Sequence, residues 1–153
     1  MTDSNAKPRY TISTNIEVPA GVHEFETGDM EAKDQEDPPI NRVIYMDDQV
    51  IPGSFYVEAV WVLGPEPRSH PMHGHDDHDE IVGFVGSDMD NPDELGGEID
   101  FTVDGDKLTI TKTCFIHIPA GVKHGELCFR EINRPVFQIA MSRMPAYESD
   151  PPT

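Results

Sequence analysis

Histidines and a carboxylate fall in two separated segments at spacings suited to holding a metal ion. Ser69 to Gly86 reads S-H-P-M-H-G-H-D-D-H-D-E-I-V-G-F-V-G, and its His73 and His75 lie two residues apart. On an extended strand such a pair projects from one face. Neutral imidazoles converging this way suit zinc, iron, nickel, copper or manganese, whereas calcium and magnesium prefer all-oxygen shells. Glu80 follows a short polar link and opens an apolar run, where its carboxylate can supply a third ligand. His124 stands just past Pro119-Ala120-Gly121-Val122-Lys123, a tight-turn sequence. A histidine so placed can return to the same point from another strand. His70 and His78 flank the pair. They are expected to be solvent-exposed or to stand behind the ligands, as loop histidines in an acidic setting usually do.

His73-x-His75-x4-Glu80, followed at a distance by Pro119-x-Gly121-x-x-His124, resembles the paired signature of the cupin superfamily. The resemblance covers about residues 40–142. It implies an all-β fold, a single-domain jelly-roll β-barrel, with one divalent transition metal per chain held by His73, His75, Glu80 and His124. That metal would be iron, zinc, manganese or nickel. Gly86 corresponds to the glycine closing the first motif, one residue early, and the asparagine after the second is replaced in the neighbourhood of Leu127 and Cys128. Three histidines and one carboxylate leave one or two positions of an octahedral shell open. The implied activity is that of a metal-dependent enzyme on a small organic molecule inside the barrel. With iron this would be a dioxygenase, an oxidoreductase; with zinc, manganese or nickel, an isomerase, decarboxylase or lyase. One fold hosts many activities, so the fold does not choose. A non-catalytic binding or sensing module and a metal store are the alternatives. The resemblance also implies a homodimer, paired through an edge strand.

The residues around the metal would decide the reaction. Tyr56 and Glu58 share strand parity with Val60 and Val62, making Glu58 a carboxylate in an apolar run and a candidate general base, with Tyr56 beside it. Gln138, between Phe137 and Ile139, is a candidate for substrate binding. So is Cys128, by its parity with His124 and Glu126, although a packed apolar thiol is the commoner outcome. Arg42, Tyr45 and Arg130 could meet an anionic substrate, although surface placement is the commoner outcome for each; His117 is taken as surface-facing or structurally satisfied, and Cys114 as core. The stretch Ser87–Gly97 holds Asp88, Asp90, Asp93 and Glu94 but lacks the EF-hand spacing, so it reads as a solvated loop.

The elements that must position these groups are short strands. Phe55–Leu63, Glu80–Val85, Glu98–Val103, Leu108–Ile110, Thr113–Ile118 and Pro135–Met141 are rich in β-branched and aromatic residues, with turn residues between them. Asp104-Gly105 is a hairpin signal. No helical periodicity intervenes, which describes a sandwich or barrel. The chain of 153 residues is one domain. It divides into an irregular acidic arm over 1–36 with room for one edge strand, a barrel over 37–144 and a tail over 145–153. Val18-Pro-Ala-Gly-Val-His23 echoes the turn before His124 without the paired histidines, and His23 is given no role. With 11 Lys+Arg against 29 Asp+Glu, the net charge is −18. Such a chain repels phosphate backbones and anionic membranes, which argues against a nucleic-acid or membrane partner. Two cysteines form no disulfide framework, and neither a secretory signal nor an apolar span is seen. A cytoplasmic location is therefore expected, and the resemblance implies a small-molecule partner.

Overall fold

The computed structural model describes residues 9–20 and 40–144, the side chains of 67–69 excepted. The remainder of the arm, including His23, and the tail 145–153 lie outside the described residues. Among the described residues nine strands follow in order: β1 (Ile40–Met46), β2 (Tyr56–Val62), β3 (Glu66–His70), β4 (Glu80–Gly86), β5 (Glu94–Val103), β6 (Asp106–Lys112), β7 (Cys114–Ile118), β8 (His124–Ile132) and β9 (Val136–Ser142). They form two antiparallel sheets, β1-β2-β9-β4-β7 and β3-β8-β5-β6. There is no helix among the described residues, and hence none long and apolar enough to cross a membrane.

The sheets are held face to face by apolar side chains contributed by both. Val62, Phe84 and Val136 come from the five-stranded sheet and Leu95, Ile99 and Phe129 from the four-stranded one, all in one buried cluster. Burying side chains of this kind is worth about 1.5–3 kcal/mol each, before chain entropy is subtracted. This is the jelly-roll arrangement that the cupin resemblance implies, and a two-sheet packing of the kind expected from the short strands.

Register decides what faces the interior. Glu80, Ser142 and Tyr56 lie side by side across β4, β9 and β2; the next row inward is Val82, Ala140 and Glu58, and the next Phe84, Gln138 and Val60. Directly paired residues project to the same side, so Tyr56, Glu58, Gln138 and Glu80 all share the face that buries Phe84 and Val60. A second, smaller cluster closes one end of this face. Tyr45, Tyr56 and Met144 are buried there against Val18, Val50 and Ala140. The Tyr45 hydroxyl donates to Asp47 Oδ2 at 2.8 Å, and Asp47 Oδ1 accepts from the Gln49 and Val50 amides.

Three strands fall outside the runs that composition picks out. β3 reads EPRSH and has no apolar residue; it is a strand because β8 offers it a ladder. β1 is a sheet edge, where polar residues are tolerated. In β8 the buried Leu127 and Phe129 are masked by charged neighbours. β5 starts at Glu94, so the acidic segment ends in strand from Glu94 to Gly97. Asp104 and Gly105 both take positive φ, 51° and 82°, as a tight hairpin turn between β5 and β6 requires. Residues 9–20 contain no strand, yet Asn15 lies along the β1 edge. Its carbonyl accepts from the Tyr45 amide at 2.9 Å and its side-chain nitrogen donates to the Tyr45 carbonyl at 3.1 Å.

Candidate metal centre

His73 and His75 sit on the segment that leaves β3, His124 begins β8, and Glu80 begins β4. The pair does not belong to a regular strand, contrary to the simplest reading of its spacing. Instead His73 forms an isolated antiparallel bridge with His124. Each amide of the two residues donates to the other's carbonyl at 2.8 Å, and the Gly121 amide donates to the His75 carbonyl at 2.7 Å. Gly121 has φ +83°, a left-handed conformation that glycine adopts without strain. The turn before His124 therefore both aims that histidine and fastens the segment carrying the other two. Gly125 matters for a different reason. A Cβ there would fall 2.5 Å from the Met72 Cα, so only glycine lets the His73 segment lie against β8.

The donor atoms of His73, His75, Glu80 and His124 all lie within 4.8 Å of one another. His75, Glu80 and His124 are only 4%, 5% and 2% exposed. His75 Nε2 is 3.2 Å and His124 Nε2 2.9 Å from the same carboxylate oxygen, Glu80 Oε2. Donors around a common ion at about 2.0–2.2 Å stand roughly 3 Å apart, so these spacings suit a shared cation.

The ring orientations add a chemical test. His73 Nδ1 is 3.1 Å from the Pro71 carbonyl, and His124 Nδ1 is 3.1 Å from the Val122 carbonyl. A carbonyl accepts only, so both Nδ1 atoms carry the proton and both Nε2 atoms present a donor or a lone pair to the cluster. With Nδ1 protonated, a neutral His124 would set its Nε2 lone pair 2.9 Å from a carboxylate oxygen. A cation must lie between them, either a second proton or a metal ion. The donor set of three imidazoles and one carboxylate is one that zinc, iron, nickel and manganese accept. These four residues therefore form a group able to hold a divalent metal. Burial pushes the Glu80 carboxyl up, but hydrogen bonds and charge from His124 and His75 outweigh it and hold the group at about 2.

The other residues named from sequence divide into three groups. His78 stands behind the cluster: its ring lies 4.5 Å from that of His75, its Nδ1 is 2.6 Å from Asp77 Oδ1, and its side chain is 12% exposed. It is thus more buried than a free loop histidine. His70, at the end of β3, meets the edge of Phe129 at 6.5 Å. Tyr56, Glu58 and Gln138 share the interior face with Glu80. Glu58 Oε1 accepts from the Tyr56 hydroxyl at 2.8 Å and Oε2 from Arg42 Nε at 3.0 Å, so both oxygens are engaged and Arg42 is no isolated surface charge. Tyr45 likewise is fully buried.

Cys128 departs from its expected parity. Gly125 and Glu126 take positive φ, 149° and 48°, and the β5–β8 register shifts there. The slip breaks the alternation between His124 and Cys128. As a result Leu127 and Phe129 point into the core, and Cys128 lies on the other face of β8, paired with Asp100, its thiol 3.4 Å from the Glu66 carbonyl. Cys114 packs against the main cluster, and burial pushes its thiol up. Neither Cys114 nor Cys128 is in a disulfide. His117 is exposed and bound at 2.8 Å to Asp79, which also accepts from Arg143. Arg130 bridges Glu98 and Asp100 on the outside of the smaller sheet. In the acidic loop, Asp88 binds the Asp90 amide, Asn91 and Arg134, and Glu94 binds Lys112. The Asp88 and Glu94 carboxylates are thus engaged by cations from outside the loop, Arg134 in the β8–β9 turn and Lys112 on β6. Gly125 and the two carbonyl partners, Pro71 and Val122, carry no warning in the sequence.

No protein-family model matches the sequence, and no curated protein matches it. The fold does have solved relatives. A cupin 2 domain-containing protein from Halorhodospira halophila superposes with a TM-score of 0.53 at 13% identity, over 78% of this chain and 74% of its own. A recombinant oxalate oxidase in complex with glycolate gives 0.51 at 13% identity, over 76% of this chain and 57% of its own. At this identity the likeness is one of fold: the chain has the cupin fold.

Proposed function

We propose that this chain is a mononuclear metal-dependent enzyme acting on a small organic molecule inside the barrel. The observation that carries the reading is the buried cluster of His73, His75, Glu80 and His124, with two of its imidazoles fixed by backbone carbonyls. One divalent ion per chain, iron, zinc, manganese or nickel, would be held there. When bound it supplies a Lewis acid or, as iron, a redox centre with open positions for substrate.

The chain's own groups do the rest. Glu80 neutralises charge at the site, and the Pro71 and Val122 carbonyls keep His73 and His124 from turning away. Gln138 has no side-chain partner among the described residues. It faces inward between Phe84 and Val60, and we assign it the polar end of the substrate. Tyr56 and Glu58 form a rigid polar wall with Arg42, and the engagement of both Glu58 oxygens argues against its acting as a free base. That same engagement favours a second reading, a non-catalytic module that holds a metal or small ligand.

Elemental analysis of the purified, untagged protein tests the first claim. Near one equivalent of iron, zinc, manganese or nickel per chain is expected. With iron, oxygen uptake against small phenols, thiols and diketones separates a dioxygenase from a module that binds without turnover. A protein that takes up no divalent ion on titration overturns the reading.

A further inference from the structure

The proposed function makes no use of His78. Its neighbours in the loop before β4, Asp76 and Asp77, are exposed, whereas the His78 side chain is 12% exposed against 91% for Asp77. One histidine is thus folded inward from an acidic, solvated turn. Asp77 Oδ1 lies 2.6 Å from His78 Nδ1. A carboxylate accepts, so Nδ1 carries the proton, and the neutral ring has its lone pair on Nε2. The ring is tied at its solvent end, and its other nitrogen is buried with no hydrogen-bond partner among the described residues. Burying a polar atom unpaired costs free energy, and a ring without the nitrogen would fill the same space free of that cost. Packing against His75 accounts for the ring and leaves the nitrogen unexplained.

The position of the ring says what that nitrogen can meet. The His78 and His75 rings are 4.5 Å apart and inclined at 31°, close to a stack. His75 Nε2 is the atom turned to Glu80 Oε2. An ion held by that nitrogen lies in the plane of the His75 ring, about 2.0–2.1 Å from it. A stacked ring flanks such an ion from the side. The four donors gather within 4.8 Å of one another without His78, so its nitrogen is not a fifth ligand; it stands within reach of a group that the ion carries. A lone pair suits groups with an O–H or N–H: water, a hydroxyl or an amine. A carboxylate or a carbonyl offers it nothing, since both accept only.

We propose that His78 Nε2 accepts a hydrogen bond from a protic group (water, hydroxyl or amine) held at the metal centre, with Asp77 fixing the ring that offers it. The assignment rests on the metal-centre reading above. Zinc alone is the probe, with water as the protic group. Its affinity for the full chain is measured by competition with a chelator for three proteins. The first is unaltered. His78→Phe keeps a stacked ring and removes the nitrogen, and His78→Gln offers an amide oxygen in its place and removes the ring. Expected is zinc binding roughly 10–100-fold weaker in His78→Phe, the usual cost of losing a hydrogen bond that supports a metal site. His78→Gln should bind much closer to the unaltered chain. His78→Phe at unaltered affinity overturns the proposal and leaves His78 a packing residue. His78→Gln no better than His78→Phe overturns it as well. Both results leave the metal-centre reading standing, because the unaltered chain still binds the ion; an unaltered chain that takes up no divalent ion removes both. Should His78→Phe fail to fold, His78→Leu takes its place in the comparison.

Discussion

His73 and His124 hold each other twice through the backbone, amide to carbonyl at 2.8 Å in both directions, and their rings stand 4.4 Å apart. Two motifs some fifty residues apart in the chain thus meet as a two-residue ladder with both imidazoles on one side. The metal-binding reading depends on this bridge more than on either motif alone.

Replacing His75 or His124 with alanine should lower metal content sharply while the barrel still folds. Each imidazole is a direct ligand in the proposed site, so the loss of affinity should exceed the roughly 10–100-fold cost of losing a supporting hydrogen bond. Metal per chain and circular dichroism of the two variants check this. Full occupancy in both would remove the site.

Gly125→Ala should damage the site without touching a ligand. The added methyl would press on the Met72 backbone, and φ +149° strains any L side chain. A cost of about 1–3 kcal/mol is expected from overpacking alone, with weaker metal binding because the His73 segment must move. Denaturant midpoints and metal titration measure the two effects separately. An alanine variant equal to the parent in both would show that the close approach is dispensable.

Glu58→Gln should leave metal content unchanged and lower stability by about 1–3 kcal/mol, since it weakens bonds from both Tyr56 and Arg42 at a mostly buried position. Glutamine retains the shape, so the effect isolates the charge. A variant that folds with parental stability but loses turnover would restore Glu58 as a catalytic base.

Alkaline stability should depend on Tyr45. Burial, and Asp47 beside it, push this hydroxyl above its ordinary value. Between the unfolded value near 10 and the higher folded one, the folded chain keeps a proton that the unfolded chain has released. Stability is therefore complete below about pH 10 and falls as pH rises beyond it. Thermal melts from pH 8 to 11 should show a decline above pH 10 that is smaller in Tyr45→Phe. That variant loses about 1.5–3 kcal/mol at neutral pH, because Asp47 forfeits a donor. Parallel pH curves for the two proteins would refute the assignment.

How much of this was legible in the sequence depended on whether the signal was local. His73, His75, Glu80 and His124 could be named as candidate ligands because residue type and spacing, with the cupin resemblance they carry, pick them out, and Asp104-Gly105 because two residues define a turn. Cys128 could not be oriented, since the left-handed Glu126 that shifts its parity bears no compositional mark. β3 has no apolar residue and exists only through β8, a non-local pairing that no window over EPRSH can register. The Pro71 and Val122 carbonyls that fix two imidazoles are backbone atoms, on which sequence pattern is silent. Gln138 and Glu58 could be given a parity, but only register showed that they share Glu80's face.

The four donors are not equally anchored. Glu80 opens a strand laddered on both sides by β7 and β9, while His73 and His75 are held to the Gly121–His124 turn by three backbone bonds. Local opening should follow that difference, with the His73 segment peeling away while β4 stays in place. An ion held at the cluster would resist the peeling, so the amides of His73, Gly121 and His124 should exchange with deuterium more slowly in the metal-loaded protein than in the chelated one. The β4 amides should exchange at the same rate in both.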